Sequence, residues 1–524
     1  MRPDDFLSSG LLPKELPPCF SSQSLRNMFQ GNPALSLASS KFISKPSSYS
    51  LARAGGARRN LKLVNPFGYY RLVEKGCAFW PQIELLINRS TISLSKPIKD
   101  QSKVRAVVPT TPMPRLSSER QLNRTKGHFA LIADISEFYP TLYTHAIGWA
   151  VDGKAAAKAS KGKNRLLGDV LDELTRYNSD NETTGIPIGD DFSFITAELV
   201  LSAVDERLSS QCRYVSAIRY FDDYEIIFDT REGANTGRSI LESILKDFNL
   251  HLNPRKTKVV ELPSQLENTW IRDLRSFELT RLARRSRIYD FFDLAIEHQE
   301  SNPDQLVMSY AISRFDHVIS ANNWSALEPI LLQVLRTIPA AAPIAINTLA
   351  MAQSKGIGIN TNSLSEVLNH VIGSAAKNHH SSEACWAMWA IGAFGLKIND
   401  VVLKQLETTQ DAVVLLTALY LNELGHYSRT IDTTRCEQLT ATDFCKNEYW
   451  MLGYEAYTRK WIPRQSKYIE GNPFFQLMEA SNCSFLSPIS IQNQQIENAA
   501  RHLRPYDEVV NLAPPSASVS LDDI

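Results

Sequence analysis

The chain of 524 residues is long enough for two or three domains, each with its own hydrophobic core. Hydrophobic residues make up 43% and charged residues 21% of the sequence, which excludes a mainly disordered protein. Lys and Arg together number 56, as do Asp and Glu, so the net charge is zero. Any nucleic acid would therefore have to be bound by local basic patches.

The cysteine pattern and the apolar runs narrow the class further. None of the seven cysteines forms a CxxC pair, which argues against a zinc ribbon or a disulfide framework. No stretch of about 18 apolar residues occurs, and the first residues, with Asp4 and Asp5, do not resemble a signal peptide. We therefore expect a cytoplasmic protein with no membrane span.

The first 60 residues are rich in Ser, Pro and Gly, which predicts an irregular lead-in with a short helix near "SLRNMFQ". A local basic stretch with Arg58, Arg59 and Lys62 closes this segment. From residue 61 to about 270, strand-like runs alternate with helical runs, the pattern of a mixed α/β domain.

An apolar run ends in an aspartate within "HFALIADISEFYPTLY", which begins at His128. Residues 129–133 have the composition of a buried strand, and Asp134 follows directly. A carboxylate at the end of a strand is held rigidly enough to bind a metal ion, and it is equally suited to cap a following helix. This segment alone leaves both interpretations open.

A Gly-containing loop precedes an amphipathic helix in "TTGIPIGDDFSFITAELVLSAVDERL", residues 183–208. Gly185 and Gly189 predict a tight loop whose backbone a nucleotide could approach closely. A polar residue among positions 190–193 is the expected N-cap of the helix.

Two adjacent aspartates, Asp222 and Asp223, interrupt a strand-like segment in "RYFDDYEIIF" at 219–228. The aromatic and β-branched flanks favour strands, which predicts a tight hairpin with both carboxylates at its tip. Carboxylates this close repel each other unless a cation lies beside them. The pair is therefore either a solvated turn or half of a divalent-cation site made of oxygen ligands.

Further along, "HLNPRKTKVVEL" places Lys256 after an Asn-Pro turn and before another strand. The strand ending in Asp134, the Gly loop with its helix, the Asp-Asp hairpin and the Asn-Pro-x-Lys turn resemble, in this order, palm motifs A to D of reverse transcriptases. Two segments, "ADISEFYPTLYTHAIGWAVDGKAAAK" and "GIPIGDDFSFITAELVLSAVDERL", are similar to the abortive-infection and defence-associated reverse transcriptases of bacteria.

The resemblance implies an α+β fold with reverse-transcriptase fingers and palm over residues 61–270. It implies an RNA-directed DNA polymerase of bacterial antiviral defence that uses dNTPs and an associated non-coding RNA. Nucleotidyl transfer of this kind employs two Mg²⁺ ions, or Mn²⁺ in their place. The implied metal ligands are the carboxylates of Asp134, Asp222 and Asp223 and the backbone carbonyl of Ile135.

Further site residues follow from the same resemblance. Lys256 would act with the three aspartates as a catalytic residue by neutralising the departing pyrophosphate. Tyr139, next to Phe138, would lie under the sugar and exclude a 2′-OH. Arg105 would bind the triphosphate, a role for which Lys103 and Arg120 are competing candidates. For each there is a plainer alternative, namely an aromatic residue packed in the core or a solvated cation.

One position departs from the family pattern. Many reverse transcriptases carry a glutamine inside the Gly loop, where this chain has Ile188 before Gly189, the two residues predicted to contact the nucleotide there. Without that amide, templated copying is in doubt. Untemplated, protein-primed DNA synthesis by the same site is therefore an alternative. A catalytically silent RNA-binding scaffold is a further one, although a scaffold does not need the three aspartates.

From residue 271 to about 512, apolar residues recur at helical spacing, which predicts an all-α domain of HEAT-like repeats before a disordered tail at 513–524. Segments such as "ACWAMWAIGAF" are apolar on more than one face, so we expect a closed homo-oligomer. The basic run at the start of this half is either a solvated helix or a nucleic-acid contact made by Arg281, Arg284 and Arg285.

Overall fold

The computed structural model describes residues 1–29, 41–160, 166–463 and 466–491. The predicted disordered tail, residues 513–524, lies outside these ranges. The strands of the described residues are β1 (Ser47–Ala52), β2 (Arg58–Leu63), β3 (Pro97–Lys99), β4 (Val107–Pro109), β5 (Phe129–Asp134), β6 (Ser216–Tyr220), β7 (Asp223–Phe228) and β8 (Lys258–Glu261).

Helices account for most of the remaining structure. Those that precede β8 are α1 (Pro3–Ser9), α2 (Pro66–Ala78), α3 (Trp80–Ile87), α4 (Leu116–Arg124), α5 (Phe138–Thr141), α6 (His145–Asp152), α7 (Lys154–Ser160), α8 (Leu167–Tyr177), α9 (Asp191–Gln211) and α10 (Arg231–Asp247). Those that follow β8 are α11 (Thr269–Ser276), α12 (Arg285–Ser301), α13 (Val307–Ser313), α14 (Ala321–Thr337), α15 (Ala342–Ser354), α16 (Thr361–Lys377), α17 (Ser381–Ala393), α18 (Asp400–Leu406), α19 (Ala412–Glu423), α20 (Thr434–Thr440), α21 (Trp450–Thr458), α22 (Ser466–Glu470) and α23 (Pro473–Ala480).

A four-stranded antiparallel sheet with the order β6-β7-β5-β8 forms the centre of the first half. The two inner strands, β5 and β7, are the most continuously apolar, and residues 224–228 of β7 are all buried. Helix α10 packs on this sheet, where Gly237 lets the ring of Phe228 approach the helix backbone. An antiparallel sheet with helices packed against it is the expected α+β arrangement.

The first 60 residues, predicted as an irregular lead-in, contain defined elements instead. Helix α1 carries Phe6 and Leu7, which are fully buried, and the short helix expected near residue 24 is a 3₁₀ helix at Gln23–Phe29. Strand β1 pairs with β2, so this hairpin crosses the predicted boundary at residue 60. Burial of the scattered apolar residues outweighs the turn-forming composition of the segment.

The second half is helical, as predicted. Helices α12, α14, α16 and α18 form one row of successive contacts, and α13, α15, α17, α19 and α21 form a second row. This layering agrees with stacked helical hairpins, whereas the assignment to HEAT-like repeats stays a prediction. Within the described residues, no helix combines the length and apolar character needed to span a bilayer.

The helices that are apolar on all faces are covered by the chain itself. On α17, the hydroxyls of Ser381 and Ser382 accept hydrogen bonds from the backbone of β1 at 3.0 Å each. The indole of Trp386 donates to the carbonyl of Glu15 at 3.0 Å. The apolar faces that motivated the oligomer prediction are thus used within one chain, because the N-terminal segment and the β1–β2 hairpin fill the space beside them.

Candidate active site

The β6–β7 hairpin presents the two adjacent aspartates at one end of the sheet. Its turn consists of Phe221 and Asp222, and Asp223 opens strand β7. The register of β5 with β7 places Asp134 directly opposite Asp223, and the N–H of Ile135 donates to the carbonyl of Asp222 at 3.3 Å. Three carboxylates therefore lie at this end of the sheet, one at the end of β5 and two on the hairpin.

Asp134 is buried, and both of its carboxylate oxygens have partners. The ammonium group of Lys256 lies 3.0 Å from Oδ1, and the amide of Asn253 donates to Oδ2 at 3.0 Å. The backbone N–H of Asn253 also donates to the carbonyl of Asp134 at 2.7 Å. The Asn-Pro-x-Lys turn is thus fastened to the end of β5, which brings the predicted catalytic lysine onto the predicted metal ligand.

The other two carboxylates repel each other and are short of hydrogen-bond partners. Desolvation by the surrounding protein raises the pKa of Asp223 to about 6, and the charges of Asp222 and Asp134 add to this effect. Burial, with the charge of Asp134, also raises the pKa of Asp222, while Lys256 and Arg59 act in the opposite direction. Negative charge is therefore concentrated here beyond what the neighbouring cations neutralise.

These residues fit a divalent cation chemically, since carboxylates are the ligands that Mg²⁺ and Mn²⁺ prefer. Their side chains do not yet point to one common position, however. Across the described parts of the chain, no three acidic, His or Cys side chains lie close enough together to form a ready-made metal site. One reason is that Asp134 is turned toward Lys256 and Asn253. The side chain of Ile135 is buried, and a role for its carbonyl stays a prediction.

The two aromatic residues after motif A differ in exposure. Phe138 is buried and packs in the core, and its contact with a nucleotide stays a prediction. Tyr139 is half-buried, and its backbone carbonyl accepts the N–H of Ile186 at 2.9 Å. Burial raises the pKa of the Tyr139 phenol, with the charge of Asp222 as the next cause. Its ring therefore lies near the aspartates, while its contact with a sugar stays a prediction.

The Gly loop is packed against other parts of the chain. Gly189 has a positive φ of 135°, and a Cβ there would lie 2.5 Å from the ring of Pro13. A Cβ on Gly185, whose φ is 84°, would lie 2.8 Å from the carbonyl of Pro140. The predicted reason for these glycines, close approach of a nucleotide, is corrected here: the chain itself makes the close approach. The carbonyl of Ile188 accepts the N–H of Lys62 at 2.9 Å.

The helix after this loop begins as expected. The carboxylate of Asp190 accepts the backbone N–H of Ser193 at 2.8 Å and its hydroxyl at 2.7 Å, so Asp190 is the N-cap of α9.

Arg105 does not occupy the position predicted for it. Its guanidinium is bound to the carboxylate of Asp191, with the Nε bond at 2.9 Å, and to the carbonyls of Leu12 and Gly189 at 2.7 and 3.1 Å. Only 13% of the side chain is exposed. The prediction that Arg105 binds the triphosphate is therefore corrected: it fastens the Gly loop to the N-terminal segment, because Asp191 offers it a buried partner.

Two other arginines face the carboxylates without a hydrogen-bonded partner among the described contacts. Arg59 on β2 is exposed, and it lowers the pKa of Asp222 and of Tyr139 through its charge. It shares its strand face with the buried Leu61, because side chains two apart point the same way. In the sequence, Arg59 is only one residue of a basic stretch. Its position two residues before the buried Leu61, in a strand with alternating burial, is the feature that could have predicted which way its side chain points.

The second of these cations, Arg120, is half-buried on α4 and lowers the pKa of Asp223. One helical turn later, Arg124 pairs with the buried Glu225 at 2.7 Å, and Glu225 lies on the same face of β7 as Asp223. Helix α4 thus runs beside strand β7. Arg124 is paired with Glu225, whereas Arg120 has no hydrogen-bonded partner among the described contacts and acts on Asp223 through its charge.

The predicted nucleic-acid contacts lie on the surface at the start of the helical half. Arg281, Arg284 and Arg285 are exposed just before and at the start of α12. Arg285 donates to the hydroxyl of Ser325 at 3.2 Å, and Arg281 donates to the carbonyl of His317 at 3.3 Å. These contacts orient the arginines on the helical half and leave their charge accessible.

Residues 87–286 match the family model described as "Reverse transcriptase (RNA-dependent DNA polymerase)", a range that contains the Gly loop, the hairpin, all three aspartates and Lys256. Over this region, which is less than half of the chain, the protein is similar to the reverse transcriptase family. The predicted enzyme class, an RNA-directed DNA polymerase, is thereby confirmed for the domain. No curated protein sequence matches the chain significantly.

Among solved structures, the chain is similar to three telomerases. One is apo telomerase from Candida tropicalis truncated from its C-terminal domain, with 12% identity, a TM-score of 0.30, and coverage of 44% of this chain and 52% of that one. Apo telomerase from the same organism has 10% identity and a TM-score of 0.32, with coverage of 74% of this chain and 68% of that one. Telomerase from Candida albicans in complex with the TWJ fragment of telomeric RNA has 13% identity and a TM-score of 0.28, with coverage of 72% of this chain and 65% of that one. These values are too low to transfer any function from the telomerases to this chain.

Proposed function

We propose that the protein synthesises DNA from dNTPs as an RNA-directed DNA polymerase of a bacterial antiviral defence system, with an associated non-coding RNA. The observation that carries the polymerase activity is the register of β5 with β7, which sets Asp134 opposite Asp223 and next to the turn that holds Asp222, within the region that matches the reverse transcriptase family. The defence role is supported by the sequence resemblance of residues 133–158 and 185–208 to the bacterial defence group.

Each part of the site has a role in this proposal. Asp134, Asp222 and Asp223, with the carbonyl of Ile135, would hold two Mg²⁺ or Mn²⁺ ions, which stabilise the charge developing on the reacting phosphate. The ammonium group of Lys256 is bound to the carboxylate of Asp134, and from this position it can neutralise the leaving pyrophosphate.

Phosphate binding is proposed for Arg59 and Arg120, since Arg105 is bound to Asp191. We expect Arg59→Ala to raise the KM for dNTPs about tenfold with a smaller effect on kcat, because a charged hydrogen bond to phosphate contributes roughly 1.5–3 kcal/mol. The measurement is steady-state incorporation over a range of dNTP concentrations.

Arg58→Ala is the matched control for this substitution. Arg58 is the neighbouring arginine on the opposite face of β2, and it forms a bidentate pair with Glu383 at 2.8 Å. Its loss should lower the melting temperature and leave the KM for dNTPs within about twofold, because its partner is structural. If both variants change KM equally, the phosphate site lies elsewhere.

The direct test of the proposed function is to incubate the purified protein, with any co-purifying RNA, with each dNTP and Mg²⁺ and to sequence the product. Product complementary to the bound RNA supports templated synthesis. No incorporation under any condition would contradict polymerase activity and favour a silent RNA-binding scaffold.

Template-independent DNA synthesis is the second candidate, and the structure of the Gly loop favours it. The loop has Ile188 in place of the family's glutamine, and Pro13 packs against Gly189. Arg105, which would act above the nucleotide, is buried against Asp191. In the same sequencing experiment, homopolymeric or random product without complementarity to RNA would establish this candidate over the first.

We further propose that Arg281, Arg284 and Arg285 hold the RNA or DNA where the two halves meet. Reversing the three charges to Glu should weaken retention of nucleic acid, and the slope of log Kd against log salt should fall by about three. Filter binding between 50 and 200 mM salt measures it. Unchanged retention would return this basic run to a solvated surface.

Cytoplasmic location, HEAT-like repeats and a closed homo-oligomer are also proposals. The helices that first motivated the oligomer, α17 and α19, are buried within the chain, so an interface would have to use other surfaces. Light scattering at micromolar concentration tests this part, and a monomeric mass would contradict it.

A further inference from the structure

A fully buried arginine, Arg219, lies at the base of the catalytic hairpin and has no part in the chemistry proposed above. Its side chain is 0% exposed. Its Nε donates to both carboxylate oxygens of Asp205 at 3.1 and 2.9 Å. The two terminal nitrogens donate to Glu198 at 2.8 and 3.1 Å. Because buried charges are costly unless every group is paired, this arrangement requires an extended set of partners.

Those partners come from three segments: helix α9, residues 90–95 and strand β7. Both carboxylates belong to α9, the helix after the Gly loop, and one guanidinium faces the two of them. Hydroxyl groups satisfy the remaining acceptors: Ser90 and Tyr224 donate to Asp205 at 2.6 and 2.9 Å, and Ser93 and Ser95 donate to Glu198 at 2.9 and 2.8 Å. Burial disfavours the charge, but Asp205 and Glu198 raise the pKa of Arg219 well above its usual range.

The same groups also hold the turn that carries Asp222. The Nη1 of Arg219 donates to the carbonyl of Phe221 at 2.8 Å, and the N–H of Phe221 donates to Ser95 Oγ at 2.8 Å. Phe221 has a φ of 54°, a left-handed backbone conformation that residues other than glycine rarely adopt. Its ring packs against Phe194 of α9 at 5.1 Å. A strained turn persists only where its surroundings hold it in place.

We propose that Arg219 and Ser95 are positioning residues for DNA synthesis, which clamp the Phe221 peptide and thereby set where Asp222 and Asp223 lie relative to Asp134. The reason is geometric: in a two-residue turn, rotation of the Phe221 peptide must rotate Asp222, the next residue. The inference rests on the proposed polymerase function, but the placement of the carboxylates can be measured separately.

The chain offers a matched pair of substitutions for the test. Ser95 and Ser93 both donate their hydroxyls to Glu198, yet only Ser95 accepts a hydrogen bond from the turn. Ser95→Ala removes the turn contact. Ser93→Ala removes an equivalent bond to the same glutamate, together with the 3.2 Å bond that Ser93 accepts from the backbone N–H of Ser95, and leaves the turn contact itself in place. Two quantities are measured for each: kcat and KM for dNTPs, and the affinity for Mn²⁺ alone by isothermal titration calorimetry.

We expect Ser95→Ala to lower kcat about tenfold with KM unchanged, and to weaken Mn²⁺ binding about tenfold, the usual size of effects on residues that orient metal ligands. Ser93→Ala should stay within about twofold of wild type in both. Equal effects of the two substitutions, or none, would overturn the proposal, because the serines would then act only through Glu198 and the core.

Arg219→Lys gives a second test, since lysine keeps the charge but cannot reach both carboxylates and the carbonyl at once. If it folds, kcat should fall about 10–100-fold without a change in KM; an unchanged kcat would contradict the proposal. If it does not fold, the serine pair decides. A wild-type protein that binds Mn²⁺ and shows the serine difference but makes no DNA would refute the polymerase function and leave the clamp intact.

Discussion

Asp222→Ala is expected to lower the rate of DNA synthesis by about 10³-fold or more while leaving the protein folded. The side chain lies in a two-residue turn and forms no hydrogen bond to another residue among the described contacts, so no packing is lost. What is lost is one of the three carboxylates at the end of the sheet. Incorporation of labelled dNTPs measures the rate, and circular dichroism measures folding.

Asp229→Ala serves as the control for this prediction. Asp229 follows the other end of strand β7 and is exposed, so its removal changes the net charge equally but leaves the carboxylate cluster complete. It should polymerise at the wild-type rate. A near-normal rate for Asp222→Ala would show that the palm assignment is wrong.

Trp450→Ala is expected to destabilise the whole chain by about 3–5 kcal/mol, the usual cost of removing a buried Trp side chain. Trp450 is fully buried on α21; its indole N–H donates to the carbonyl of Leu63 on β2 at 3.1 Å, and its ring meets Phe485 at 5.1 Å. It therefore joins the helical half to the β1–β2 hairpin. The neighbouring contact of Asn65 with the carbonyl of Cys445, at 2.8 Å, joins the same two parts.

We expect the loss to appear as one shared transition, with DNA synthesis and helical signal disappearing at the same lowered temperature. Trp461→Ala is the control, because that indole contacts Glu423 within the helical half and is only half-buried. It should cost less and lower the temperature of the shared transition by a smaller amount. Two separate transitions in Trp450→Ala would show that the halves fold independently.

Several features could be predicted from the sequence because they depend on neighbours in the chain. The strand ending in Asp134 and the hairpin around Asp222 follow from β-favouring residues on either side of a turn. The N-cap at Asp190 depends on a hydrogen bond to a residue three positions away. The meeting of Asp134 with Asp223 required only that the motifs occur in the family order.

Other features were decided by contacts between distant parts of the chain. Arg105 was predicted to face the nucleotide, yet Asp191, far along the sequence, binds it and buries it. Gly189 was predicted to admit a nucleotide, but Pro13 packs against it. Helices α17 and α19 were predicted to leave apolar faces for a partner, and the N-terminal segment and the β1–β2 hairpin cover α17 instead.

The sequence by itself therefore determined the local elements, the order of the motifs and the acidic centre, since propensity, turn chemistry and capping act over a few residues. Only the tertiary structure decided which cations are free to bind phosphate, which glycines are covered and which arginine clamps the hairpin. The physical reason is that a charged or apolar group binds whichever partner the fold brings within a few ångströms, and its free energy depends on that distance and on its burial. Neither quantity can be read from separation along the chain.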